Sequence, residues 1–349
     1  VIICKVIFES VLIALEPPWI FMEDKEQVLI IDKTVLNIDP EKESRRICDF
    51  MKNEVSAVYK RSGIVVGLSG GVDSAVAASL AVEAIGRQHV LGLILPERES
   101  NPISHDYAEK QAQKLDIEYR VIDISQTVDS VGGYNFRDKS VKEIIPEFEP
   151  GCRYNIVLPQ NLLEKGGFNV YTLQVELPDG SILTKRLNSS AFRVLAAFAS
   201  IKIRARMLHL YWEAERNGLV VTGTTNKTEL ILGDFCKYGD GGVDIEPLSH
   251  LYKTQIYQLA EYLGVTSEIM ERPPSPDTFS LPLTDQEFFF RVPMDKIDYL
   301  LFAWENNINK TQIAGALEIS EAAVDRVFDD FTSKHRTTSH LRELPHAIE

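Results

Sequence analysis

Apolar and polar positions along the chain follow two periods, and the switches between them outline a fold. Over residues 39–60, Ile47, Met51, Val55 and Val58 recur at helical spacing and predict one amphipathic helix. An unbroken apolar run at 64–68, closed by Ser-Gly-Gly, predicts a strand buried on both faces. Residues 72–85 are apolar and alanine-rich and stop at Gly86, the pattern of a helix with a glycine stop. The alternation repeats with a strand at 89–95, a helix at 106–115 and a strand at 119–124. Strands and helices alternating in this way predict a parallel sheet with right-handed crossovers and helices on both faces, a doubly wound α/β fold.

The rhythm breaks from 126 to 188. Within that stretch VYTLQVELPDGSILTKRL predicts two alternating strands around a Pro-Asp-Gly turn, an inserted β-hairpin. A long helix at 191–217 and an apolar strand at 219–222 come next. The tail predicts a helix at 253–263 and a pair of short helices at 311–317 and 321–331. That pair has helix-turn-helix spacing, but Asp325, Asp329 and Asp330 on its second member would repel phosphates, so packing is the better account.

Composition narrows the class. With 349 residues, 44% hydrophobic and 25% charged, the chain suits a folded globular protein. A formal net charge of −14 argues against sequence-independent nucleic-acid binding. Cys4, Cys48, Cys152 and Cys236 are too scattered for a zinc knuckle or a CxxC pair, and suit reduced thiols in the cytoplasm. The hydrophobic first 21 residues are interrupted by Lys5, Glu9 and Glu16, so no membrane span is expected. Residues 1–38 are read as an N-terminal extension, with Met22 as a plausible initiator, and removal of residues 1–21 is expected to leave activity intact. Residues 39–345 are read as one domain carrying the insertion 126–188.

The segment that carries chemistry is Gly67-Leu68-Ser69-Gly70-Gly71-Val72-Asp73-Ser74, between a predicted strand and a predicted helix. Gly70 and Gly71 permit positive φ and close approach of an anion to the backbone. The free N–H groups and dipole of the next helix point at the same place. Ser69 and Ser74 add hydroxyls. Asp73 beside a phosphate would be repulsive unless it held Mg²⁺. No Gly-Lys-Ser/Thr comes after it and the G-x-G-x-x-G spacing is missing, which excludes a Walker A loop and a Rossmann fingerprint.

The SGGVDS string resembles the pyrophosphate loop of N-type ATP pyrophosphatases, the adenine nucleotide alpha hydrolase-like fold. VTGTTNKTELILGDFCK with the adjoining YGDGGVDIEPLSHLYKTQIYQLAEYLGV, SIKIRARM and ERPPSPD together resemble the ammonia-dependent NAD synthetases, from about residue 39 to 345. The resemblance implies that the nicotinate carboxylate of deamido-NAD is adenylated by ATP with release of pyrophosphate, and that ammonia then displaces AMP. It implies a homodimer, a Mg²⁺ ion on Asp73 and Glu229, and catalytic roles for Asp73 and Lys253. Gly67, Leu68, Ser69, Gly70, Gly71, Val72, Asp73, Ser74, Thr224, Lys253 and Ser275 would meet ATP. Arg204, Lys237, Asp244, His335 and Arg336 would meet deamido-NAD, beside a turn containing Gly239, Gly241 and Gly242.

The chain departs from that pattern in three ways. Ser200 stands where the family usually has Asn, His335-Arg336 stands where it commonly has a His-Lys pair, and the segment 126–188 is longer than compact members carry. The insertion is either a peripheral hairpin that extends a dimer contact or a reshaping of the carboxylate pocket toward another acid. Other users of the SGGxDS loop fit less well. Sulfur-transfer and nitrile-forming enzymes need paired cysteines, and glutamine-fed synthetases need a glutaminase domain, so free ammonium is the expected nitrogen source. A non-catalytic nucleotide-binding relative is the remaining alternative.

Overall fold

The computed structural model describes residue 32 and residues 34–158, 160–166 and 170–348. The expectations for residues 1–21 and Met22 lie outside them. The first helix, α1 (Pro40–Asn53), is capped by Asp39, whose side chain accepts from the Lys42 N–H at 3.1 Å. It then widens into a π turn, Glu54–Val58. The extra residue of that turn rotates the rest of the helix about its axis. Ile47, Met51 and Val55 are therefore buried as expected, whereas Val58 is not and stands 57% exposed.

The central sheet contains β1 (Gly63–Gly67), β2 (Val90–Ile94), β3 (Glu118–Val121) and β7 (Leu219–Thr222), all parallel and ordered β3-β2-β1-β7. Helices α2 (Val72–Ile85) and α3 (Pro102–Leu115) connect the first three strands. With α1 and α8 (Lys253–Tyr262) they close one face of the sheet around Val66, Leu80, Ala112 and Leu259. On the other face lie α4 (Ser125–Ser130), α5 (Gly133–Ile144) and the 29-residue α6 (Ser189–Asn217). The fold is the doubly wound one expected. The chain steps outward from β1 to β3 and returns beside β1 as β7, which places the reversal of strand order between β1 and β7, where open α/β sheets bind ligands.

The region from 126 to 188 holds more structure than a hairpin. The turn forms as expected: Leu177 N–H donates to the Ser181 carbonyl at 2.8 Å and Gly180 adopts φ +83°. It joins β5 (Thr172–Glu176) to β6 (Ile182–Arg186). A further strand, β4 (Arg153–Val157), completes an antiparallel sheet ordered β4-β5-β6. Helix α5 has no clean apolar stripe to reveal it, because Arg137 is among its buried residues.

The C-terminal part contains α7 (Lys227–Leu232), α9 (Ser267–Met270), α10 (Met294–Glu305), α11 (Lys310–Ala316), α12 (Glu321–Thr337) and α13 (Ser339–Arg342). Packing accounts for α11 and α12. Ile313, Val324, Val327 and Phe331 are buried together with α10, and Asp330 is held by the buried Lys334 at 2.7 Å.

Candidate active site

A cavity of about 540 Å³ opens at the carboxyl ends of β1, β2 and β7, a size suited to a small-molecule ligand. The turn after β1 forms one wall. Only Gly70 uses the left-handed region, at φ +76°; Gly71 sits at φ −95°, which any residue can adopt. A Cβ at Gly70 would lie 2.2 Å from the Ser104 carbonyl oxygen, so this glycine packs the turn against α3 and does not itself line the cavity. Ser69 N–H donates to Ser74 Oγ at 3.2 Å, and the Ser74 hydroxyl donates to the Gly71 carbonyl at 2.9 Å. The serines therefore shape the turn internally. Gly71 caps α2 without a side-chain bond, which leaves the helix's first N–H groups and its positive end facing the cavity.

Three charged side chains, one of them Asp73 of α2's own first turn, converge at that helix end. Lys253, in the first turn of α8, donates to Asp73 and lies 3.6 Å from Glu229 Oε1. Burial works against the Lys253 ammonium, but Asp73, Glu229 and Asp285 outweigh it and hold it charged above its ordinary range. Burial pushes the Glu229 carboxyl well up, opposed by Lys253 and reinforced by Asp73. Asp285, also lining the cavity, is raised to about 6 by burial.

The framework behind these groups is local. Asn226 caps α7: its Oδ1 accepts from Glu229 N–H at 3.1 Å, while Asn226 N–H donates to Glu229 Oε2 at 3.2 Å. The same fully buried side chain donates from Nδ2 to Asp73 Oδ1 at 3.1 Å. One asparagine thus ties the two carboxylates to each other. Buried Asp298 of α10 accepts from Thr228 Oγ1 and from Thr254 N–H and Oγ1, each at 2.6 Å, which staples α7 to the start of α8. Neither Asn226 nor Asp298 is among the residues the sequence points to. The Asn226-x-x-Glu229 capping-box spacing is the available signal for the first; the second has none.

Gly67, Leu68, Ser69, Gly71, Val72, Asp73, Ser74, Thr224, Glu229, Lys253 and Ser275 all line the cavity. Arg204, Lys237, Asp244, His335 and Arg336 do not. Arg204 projects from the outer side of α6 and donates to the Lys237 carbonyl at 3.1 Å. Lys237 reaches the carbonyls of His340 and Glu343 at 2.7 and 2.8 Å. The Asp244 carboxylate accepts from Tyr211 OH at 3.1 Å and Val221 N–H at 2.8 Å. His335 and Arg336 are exposed on α12. Arg206, two residues beyond Arg204 and so on another side of the helix, lines the cavity and donates to the Leu95 carbonyl at 3.1 Å.

A metal fits the paired carboxylates. Among the described residues no group of three or more His, Cys, Asp or Glu side chains could hold an ion. Asp73 and Glu229 nevertheless share one cation and leave Glu229 strained toward protonation. Two carboxylates completed by phosphate oxygens and water suit Mg²⁺.

A sequence model described as NAD synthase matches residues 43–158 and 155–345. The chain is 37% identical over 311 residues to the NH(3)-dependent NAD(+) synthetase of Mesorhizobium japonicum, covering 89% of this chain and 97% of that protein. In fold it resembles an NMN synthetase from Francisella tularensis, with TM-score 0.63, 24% identity and coverage of 89% and 99% of the two chains. It likewise resembles an NH3-dependent NAD synthetase from Campylobacter jejuni, with TM-score 0.59, 23% identity and coverage of 89% and 100%.

Proposed function

The chain belongs to the NAD synthase family, and from that premise we propose that its cavity amidates deamido-NAD to NAD with ammonia, at the expense of ATP. The observation that carries this is the meeting of Lys253, Asp73 and Glu229 at the uncapped N-terminus of α2, in a chain that covers 97% of a relative named for that reaction. Diversion to another acid is not favoured by a likeness of that extent.

A carboxylate is a poor acyl donor because its leaving group would be oxide. A carboxylate oxygen attacks the α-phosphorus of ATP, the bond to the β-phosphate breaks, and pyrophosphate leaves with its electron pair. Ammonia then attacks the acyl carbon, AMP departs and a proton is lost. The N–H groups of α2 and the Lys253 ammonium sit where the departing pyrophosphate needs charge neutralised, and they are fixed before the reaction begins. Mg²⁺ held by Asp73 and Glu229 would neutralise and align phosphate oxygens there. Thr224, just after β7, and Ser275, within the loop after α9, line the nucleotide's place.

Arg204, Lys237 and Asp244 would serve the dinucleotide at the outer rim, with His335 and Arg336 at its periphery. Around the first two, Leu208, Trp212 and Tyr238 stand 60%, 58% and 62% exposed. An apolar rim of this kind supports a homodimer that completes the dinucleotide site. The catalytic domain spans 39–345 with 126–188 inserted and 1–38 as an extension, and the free thiols of Cys48, Cys152 and Cys236 suit the cytoplasm.

The deciding assay supplies ATP, Mg²⁺, deamido-NAD and ammonium and identifies the products. NAD, AMP and pyrophosphate in equal amounts are expected. ADP with orthophosphate, or no turnover of deamido-NAD, would overturn the assignment.

A further inference from the structure

The cavity has a second wall of different chemistry, and the inserted segment contributes to it. Tyr171, just before β5, lines the cavity together with Phe288 and Phe289. Its ring stacks on Phe192 of α6 with centroids 4.7 Å apart and planes at 21°. Phe288 stands 6.2 Å from Tyr171 and 5.4 Å from Phe279. Packing of this kind fixes a ring in place before any ligand arrives. The hydrogen bonds among the described residues leave the Tyr171 hydroxyl unused.

The two walls lie on opposite sides of the sheet. Val72 in the first turn of α2 and Ile256 in that of α8 pack into the core shared by those helices, whereas Tyr171, Phe192, Phe279 and Phe288 belong to the core around α6. The Lys253–Asp73–Glu229 cluster therefore borders the cavity on one side, and flat aromatic surface, with Arg206 of α6, borders it on the other. An acid that presents its carboxylate to an α-phosphate beside that cluster extends the rest of itself toward the aromatic side. In a pyridine carboxylate the ring is bonded directly to that carboxyl carbon, so it is the first group to arrive there.

The geometry points to Tyr171 as a specificity-determining contact of the inserted segment that stacks on the planar pyridine ring of the acid. This rests on the amidation reaction proposed above. The competing planar group is the adenine of ATP, and the two are separable by kinetics.

Pyrophosphate release is measured with deamido-NAD and ATP varied in turn, for the intact chain and for Tyr171→Phe, Tyr171→Leu and Tyr171→Ala. Leucine keeps an apolar side chain against Phe192 and guards against a folding defect in the alanine variant. Tyr171→Phe is expected to behave like the parent, because it keeps the ring. Tyr171→Leu and Tyr171→Ala are expected to raise KM for deamido-NAD by about tenfold, the loss of one stacking contact, with KM for ATP unchanged. An unchanged KM for deamido-NAD in Tyr171→Leu, or a matching rise in KM for ATP, overturns the assignment. No turnover by the unmutated chain sinks the amidation reaction instead, so the two failures are distinguishable.

Discussion

The two sheets of this protein place their polar groups in opposite ways. In the parallel sheet, Ile64, Val65 and Val66 are fully buried and β2 is buried along its whole length; only the edge strand β3 carries charge, on Glu118 and Arg120, and the charged groups of the cavity lie beyond the strand ends. In the antiparallel sheet β5 buries one face only, with Leu173 and Val175 covered while Thr172, Gln174 and Glu176 between them are half-exposed, and the neighbouring β4 buries a polar side chain, Asn155, which donates to the Pro282 carbonyl at 3.2 Å. Next to it lies a buried charge network. Lys202 of α6, fully buried, donates to Glu97 and Glu99 at 2.8 Å each and to the Thr278 carbonyl at 3.0 Å. From α5, Arg137 pairs with Glu99 at 2.5 Å and Tyr134 OH donates to Glu97 at 2.6 Å. The first region positions its chemistry with backbone, through strand ends and helix N-termini. The second is locked to the loop after β2, and to the proline-rich loop bearing Ser275, by side-chain charge.

That contrast makes the inserted region sensitive in stability and the strand-end region sensitive in turnover. The largest expected effect is Lys202→Met, which leaves Glu97 and Glu99 buried without their shared cation and should cost about 3–5 kcal/mol in urea unfolding. A loss below about 1 kcal/mol would mean the network is not what locks the insertion. Next, Asp73→Ala is expected to lower turnover at least ~10²-fold, as when a preorganised charge contact is removed, with the unfolding midpoint little changed. Near-normal pyrophosphate release would refute the role given to that carboxylate. Asn226→Ala should lower turnover by about 10- to 100-fold, since it removes the Nδ2 bond that orients Asp73 and the cap that seats Glu229 on α7 while keeping the backbone N–H that Glu229 accepts from, and raise the Mg²⁺ concentration needed for half-maximal rate. An unchanged Mg²⁺ requirement would reduce Asn226 to a helix cap.

The gentlest test is a slope. Burial raises the Glu246 carboxyl to about 8, opposed by hydrogen bonding to Thr225. The folded state thus keeps a proton that the unfolded chain has released near its ordinary value of 4.5. This contribution to stability is fully present below that ordinary value and declines as pH rises through about 8. Glu246→Gln holds the side chain neutral and should flatten the decline, read as the difference between the two unfolding profiles across that window. Parallel profiles would show that Glu246 ionises freely in the folded protein.

Much of the nucleotide end is legible in the sequence because its signals are contiguous. A short apolar run, two glycines and an alanine-rich helix specify strand, turn and uncapped N-terminus over a short stretch of chain, and Asp73 falls where that local geometry puts it. Thr224, Glu229 and Lys253 come from one long run of resemblance and Ser275 from another, and the cavity gathers all four. The dinucleotide set is less legible. The resemblance points to Arg204, yet Arg206 in the same block is the one that faces the cavity, because two residues of a helix separate them by more than half a turn. Helix α5 and strand β4 leave little trace in the sequence, because buried Arg137 interrupts the apolar stripe of the helix and β4 has only five residues.

By itself the sequence determined most of the local elements and the family, since period, caps and turn residues act over a few positions and need no distant partner. Tertiary structure alone decided which groups meet: Asn226 with Asp73, Lys202 with Glu97 and Glu99, Asp298 with Thr228 and Thr254, and Tyr171 with the cavity. Most of these pairs join residues many tens of positions apart, and their distances are set by how helices and sheets stack around a close-packed core. No local pattern encodes that stacking, because it is a property of all the buried surfaces at once.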